Sequence, residues 1–202
     1  MIKNFIISSS LKTISNFYPE YNSTKLDEIR YGLEAVYLSL TKVIVILLIT
    51  FILGIFKEAI ILLLFFNGLR TVAFGIHASK SWMCWVSSSI LFIGVPYLCI
   101  YANLSIYIHY IILSLCMLCF ILYAPADTKK RPLVRKNRRL KFKILTILIA
   151  SLYIIIFLFV DNTLLRNIIT CSMFIEAVLI HPFTYRVFNL PYNNYERYVF
   201  SK

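Results

Sequence analysis

The chain has 202 residues, 60% of them hydrophobic and 15% charged, with a formal net charge of +12 and a mean hydropathy of +0.79. Soluble domains are roughly 45–50% apolar, and a chain of this length cannot hide the excess inside one aqueous core. High hydropathy with few charges excludes disorder, and five glycines without sustained heptads exclude collagen-like and coiled-coil chains. An all-α polytopic membrane protein remains.

The first 35 residues form an amphipathic region. Ile7, Leu11, Ile14 and Tyr18 share one helical face, with Lys3, Lys12 and Asn16 elsewhere. Such a helix lies in the membrane interface or packs as an amphipathic terminus. It lacks the continuous apolar core and small-residue cleavage site of a signal peptide. Thr24-Lys25-Leu26-Asp27 reads as a second helix start, with a capping hydroxyl and an acid in the first turn. That helix leads into the first span.

A bilayer-crossing helix needs about 20 apolar residues. The pattern predicts about six spans, over residues 36–56, 59–73, 85–101, 105–123, 144–160 and 167–182. The second frays into a polar turn at Asn67, Gly68 and Arg70. Between Lys129 and Lys143 stand nine Lys or Arg and no acid, whereas 102–104 and 161–165 carry no basic residue. Basic loops stay on the cytoplasmic side. Loop 124–143, the turn at 75–84 and both termini are therefore expected in the cytoplasm of a multi-pass cell-membrane protein. No linker or internal repeat divides the chain, so residues 1–202 read as a single polytopic domain.

Ionisable groups inside spans are costly. Lys42 can snorkel to the interface. Arg70 suits a carboxylate or backbone carbonyls. Glu176 is too deep to snorkel, and an ion pair with Arg70 would account for both. His109 and His181 sit near span ends and carry no assigned role. Cys116-x-x-Cys119 has metal-site spacing, but without a second ligand pair and among Leu, Met and Phe it reads as core. No metal and no cofactor is expected. The basic cluster lacks the interleaved aromatics of a nucleic-acid surface. It suits anionic lipid.

His77 and Cys84 stand apart, in a non-apolar stretch between two spans, residues 70–84. A thiol attacks as thiolate, and an imidazole supplies the base. Seven residues of straight helix would separate them by about 10.5 Å, so cooperation needs a bend, which Gly75 permits. Cys84 would then open the third span, where the helix dipole favours a thiolate. An ordinary loop with an incidental thiol satisfies the same spacing. Ser87, Ser88 and Ser89 suit close helix packing.

Arg30-Tyr-Gly-Leu-Glu34, Leu69-Arg70, Gly75-Ile-His77-Ala78 leading to Cys84, and Tyr123-Ala-Pro-Ala-Asp127 occur in this order along the chain. In these features the chain resembles the accessory gene regulator protein B (AgrB) family, membrane cysteine endopeptidases of Gram-positive quorum sensing. Phe74-Gly75 departs from the two glycines frequent in that family. The resemblance implies that Cys84 is the nucleophile and His77 the general base, with Arg70 and Gly75 supporting the site. It implies an AgrD-like precursor peptide as substrate, tail removal through an acyl-enzyme thioester, and cyclisation to a thiolactone or lactone. It also implies a homodimer. Lys129, Lys130 and Arg131 are then candidates to dock the acidic precursor tail. A small peptide exporter and a non-catalytic membrane adaptor are the competing readings.

Overall fold

The computed structural model describes residues 2–76, 81–128 and 132–196. No strand occurs among them, and an isolated parallel bridge joins Phe74 to Ala126. The chain is thus the all-α membrane protein that its composition requires. It divides into two compact units, residues 1–51 and 52–202.

The first unit holds α1 (Ile2–Phe17) and nearly all of α2 (Ser23–Ile52). Tyr18 and Tyr21 stack in the turn between them, with ring centroids 5.1 Å apart. The cap of α2 is Asn22, whose Oδ1 accepts from Lys25 N at 2.9 Å. The expected start at Thr24 is corrected accordingly: an Asx side chain outside the helix reaches the free N–H groups better than a hydroxyl already within it. Lys3 Nζ pairs with Glu34 at 3.1 Å, with both side chains about one-third exposed, a geometry worth little in stability. α2 runs unbroken through 30 residues, so the expected second short helix and first span are one helix.

The second unit begins with a turn at Gly54, whose φ is +73°. The first span therefore stops at Ile52, four residues before the expected end. α3 (Phe56–Ala73) follows, then α4 (Ser81–Ser89), a π-turn (Ile90–Gly94) and α5 (Val95–Tyr101). Pro96 cannot donate the next helical hydrogen bond, and a π-turn just ahead of it is the usual accommodation. α6 (Ile106–Tyr123), α7 (Lys136–Phe159), α8 (Thr163–Ile180) and the short α9 (Pro182–Val187) complete the unit.

Among the described residues, five helices are long and apolar enough to cross a bilayer, at residues 23–52, 82–101, 106–123, 136–159 and 163–180. α3 has 18 residues but carries Lys57, Glu58 and Arg70, so the count of six spans holds only approximately. α7 starts eight residues earlier than the expected span. The second half of the basic 124–143 segment is therefore helix rather than loop. Basic residues are good helix formers, and a helix need not end where the membrane does.

α8 is the centre of this unit. Its Ile169, Met173 and Ile180 pack with Leu69 of α3, Phe120 of α6 and Phe157 of α7. Polar ties set the helix register, as apolar burial cannot discriminate helix from lipid. Asn167 Nδ2 donates to the carbonyls of Cys99 and Ala102, each at 2.9 Å. His109 Nδ1 lies 2.8 Å from Thr170 Oγ1. Tyr153 Oη donates to Phe65 O at 3.0 Å, and that hydroxyl occupies the space a side chain at position 68 would need, which explains Gly68. Leu118, Leu148, Leu152 and Phe159 are exposed, as lipid-facing residues are.

Candidate active site

The site grows from the C-terminal end of α3. Phe74 (φ +66°) and Gly75 (φ +90°) both lie in the left-handed region. Two such residues in succession turn the chain sharply out of the helix. A bulky side chain is rare there. The Phe74 ring is held edge-on against Phe142, with centroids 4.9 Å apart.

The strip that follows is fastened on three sides. Gly75 N donates to Ala126 O at 2.8 Å, and Ala126 N donates to Ala73 O at 2.9 Å. Ile76 N donates to Leu179 O at 3.2 Å, satisfying a carbonyl left over at the end of α8. The Arg70 guanidinium donates from Nη1 to Phe74 O and from Nη2 to Ile76 O. Its fork spans both carbonyls as an ammonium could not. A Cβ on Gly75 would lie 2.6 Å from Arg70 Nη1 and 2.9 Å from Leu179 O. Glycine is thus required by conformation and by space together.

Arg70 also faces Glu176, with Nη1 3.6 Å from Oε1, and the Glu176 side chain is fully buried. The ion pair suggested by the sequence is present. Neither carboxylate oxygen accepts a hydrogen bond from the described residues. A buried pair without such support contributes little to stability.

Asp127 organises the neighbouring segment. Its buried carboxylate accepts from Leu133 N at 3.1 Å, Asn194 N at 2.9 Å and Tyr195 N at 2.9 Å. Charge-assisted bonds of this kind are among the stronger ones. Tyr185 Oη donates to Ala126 O at 3.2 Å and Asp127 O at 3.1 Å. Burial pushes the Tyr185 phenol above its ordinary range, opposed in part by Arg70. Burial also raises Tyr192 to about 12, with the Tyr123 phenol adding to the effect. Both therefore remain protonated donors at neutral pH.

Cys84 is the fourth residue of α4 and half-buried. Its carbonyl accepts from Ser87 Oγ at 3.2 Å. His77, Lys129, Lys130 and Arg131 lie outside the described residues. Arg70 and Gly75 are in direct apposition. His181 Nδ1 accepts from Phe183 N at 3.2 Å and caps α9. Cys116 is buried, and Cys119 Sγ donates to Ala177 O at 3.4 Å. Sequence reasoning assigned no role to Asp127 or Tyr185. One signal was present: Asp127 is the sole acid between Glu58 and Asp161, beside nine basic residues.

A multi-pass helical membrane protein with an arginine-clamped turn leading to a helix-borne cysteine is the class that these features define. The family model of accessory gene regulator B matches residues 7–180, and the chain belongs to that family. It is 32% identical over 180 residues to an AgrB-like protein of Clostridium acetobutylicum, covering 89% of this chain and 86% of that protein. It is 27% identical over 174 residues to an AgrB-like protein of Listeria innocua, covering 85% and 84%. It is 32% identical over 156 residues to accessory gene regulator protein B of Staphylococcus aureus strain Newman, covering 77% and 81%. No solved structure matches the chain.

Proposed function

We propose that this protein is an integral-membrane cysteine endopeptidase that removes the C-terminal tail of an AgrD-like precursor and promotes its cyclisation. The observation that carries this reading is the clamped strip from Ala73 to Ile76, which precedes His77 in the chain, with Cys84 in α4 beyond it. Thiol acylation needs a general base and a nucleophilic thiol, the parts assigned to His77 and Cys84.

The chemistry runs as follows. His77 accepts the Cys84 proton as the sulfur attacks the scissile carbonyl. The tetrahedral intermediate collapses to a thioester, the C–N bond breaks, and the His77 imidazolium protonates the departing amine of the tail. A thiol or hydroxyl of the precursor itself then attacks the thioester, yielding its proton to His77, and Cys84 departs as thiolate. Backbone N–H groups at the start of the third span are the candidates to hold the oxyanion. Water competes for the thioester, and a site at the membrane face that limits it favours ring closure. Conversion of amide to thioester is uphill, and removal of the tail draws it forward. In this reading the site and both termini face the cytoplasm, anionic lipids surround the basic segment, and two copies form the working dimer.

The test is capture of the intermediate. Vesicle-embedded protein is mixed with synthetic precursor, quenched in acid, and analysed by mass spectrometry. The Cys84 peptide should carry the precursor without its tail, and hydroxylamine should release it. Tail removal without an adduct at Cys84 at any time would overturn the reading.

Lys129, Lys130 and Arg131 are proposed to dock the precursor's acidic tail. Exposed charge pairs contribute about 0.2–1 kcal/mol each. Reversal of all three to glutamate should therefore raise KM for an acid-tailed precursor roughly tenfold while leaving insertion intact. Unchanged processing by properly inserted protein would defeat the docking role.

A further inference from the structure

We infer that Glu176 is a positioning residue for the histidine of this site, acting through Arg70; the inference rests on the proposed cysteine-peptidase reading. Glu176 comes from α8, Arg70 from α3, and the two meet at 3.6 Å with the carboxylate fully buried. Arg70 in turn holds the carbonyls of Phe74 and Ile76, the latter in the residue immediately before His77. A guanidinium on a long stem has several rotamers available, and a fixed negative charge at one end selects one of them.

Two features argue that the carboxylate is there for Arg70. Both of its oxygens lack hydrogen-bond donors among the described residues, so no competing partner explains its position. Its own helix also supplies the second fastening of the strip, since Leu179 O, three residues on, accepts from Ile76 N. One helix thereby bears on Ile76, the residue before His77, in two ways: its carboxylate meets the arginine that holds the Ile76 carbonyl, and its backbone carbonyl accepts from the Ile76 N–H. Misplacement of a catalytic group by about 1 Å can cost on the order of 100-fold in rate. A group that only orients another lowers kcat and leaves substrate binding alone.

The experiment compares wild type, Glu176→Gln, Glu176→Asp, Arg70→Gln and His77→Ala in vesicles. It measures precursor cleavage and the pH dependence of Cys84 alkylation by iodoacetamide, read by mass spectrometry at the Cys84 peptide. Glu176→Gln should lower kcat about 10- to 100-fold with KM within about twofold. Its alkylation profile should move toward that of His77→Ala. In the Arg70→Gln background, Glu176→Gln should cost nothing further, the mark of two residues acting as one. Should Glu176→Gln insert poorly, Glu176→Asp carries the test, with about a threefold loss of kcat and a smaller shift of the profile. A profile unchanged from wild type in the inserted variant, or losses that add with Arg70→Gln, would overturn the inference. An alkylation profile and cleavage rate unaffected by His77→Ala would instead overturn the peptidase reading itself.

Discussion

Replacing Cys84 by alanine is expected to abolish precursor cleavage, by a factor of about 10⁴ or more, because removal of a nucleophile eliminates the covalent route altogether. Serine at the same position is expected to retain a trace. A hydroxyl has the geometry but a far weaker tendency to ionise, and the imidazole tuned to a thiol deprotonates it poorly. Cys84→Ser should therefore fall at least about 100-fold, with slow accumulation of an oxygen ester in place of the thioester. Neither change should harm the fold, since Cys84 is half-buried in a short helix where small side chains are tolerated. The measurement is tail release from synthetic precursor by chromatography, with membrane insertion monitored in parallel. Normal release by Cys84→Ala would eliminate the mechanism and favour an exporter or adaptor.

The second large effect is expected at Gly75. An alanine there meets two separate penalties. The residue adopts φ +90°, where a Cβ is strained by about 1–3 kcal/mol. The same Cβ would press on Arg70 Nη1 at 2.6 Å and Leu179 O at 2.9 Å. Arg70 can swing away, but only by releasing the Phe74 and Ile76 carbonyls. Leu179 O is backbone at a helix end and cannot. Gly75→Ala should accordingly reduce cleavage about 10- to 100-fold and slow Cys84 alkylation at neutral pH, while the helices remain inserted. Full activity in Gly75→Ala would mean that the clamped strip has no part in catalysis.

Much of this architecture is legible in the sequence, for reasons specific to each element. The spans are visible because a bilayer demands a minimum run of apolar residues. Helix ends are less so. Hydropathy marks where α7 leaves the membrane at about residue 144, whereas the helix itself begins at Lys136 in a run of residues equally content in helix or loop. The Arg70–Glu176 pair could be anticipated because an acid inside an apolar helix requires a cation. Asp127 could not be placed in the same way. Its partners are the backbone N–H groups of Leu133, Asn194 and Tyr195, and any residue type supplies those. A bend was foreseeable from Gly75, but the second left-handed residue, Phe74, was not. A phenylalanine gives no sign of that conformation.

The strip before His77 draws its fastenings from three distant parts of the chain: Arg70, Ala126 and the pair Glu176 and Leu179. During synthesis these emerge in order, and the last is delivered only when α8 has left the ribosome and joined its neighbours in the bilayer. The nascent protein therefore carries Gly75 and Ile76 through much of translation without the partners that hold them. If the proposed peptidase reading holds, an incomplete chain stalled in the membrane lacks the scaffold that its site is built on.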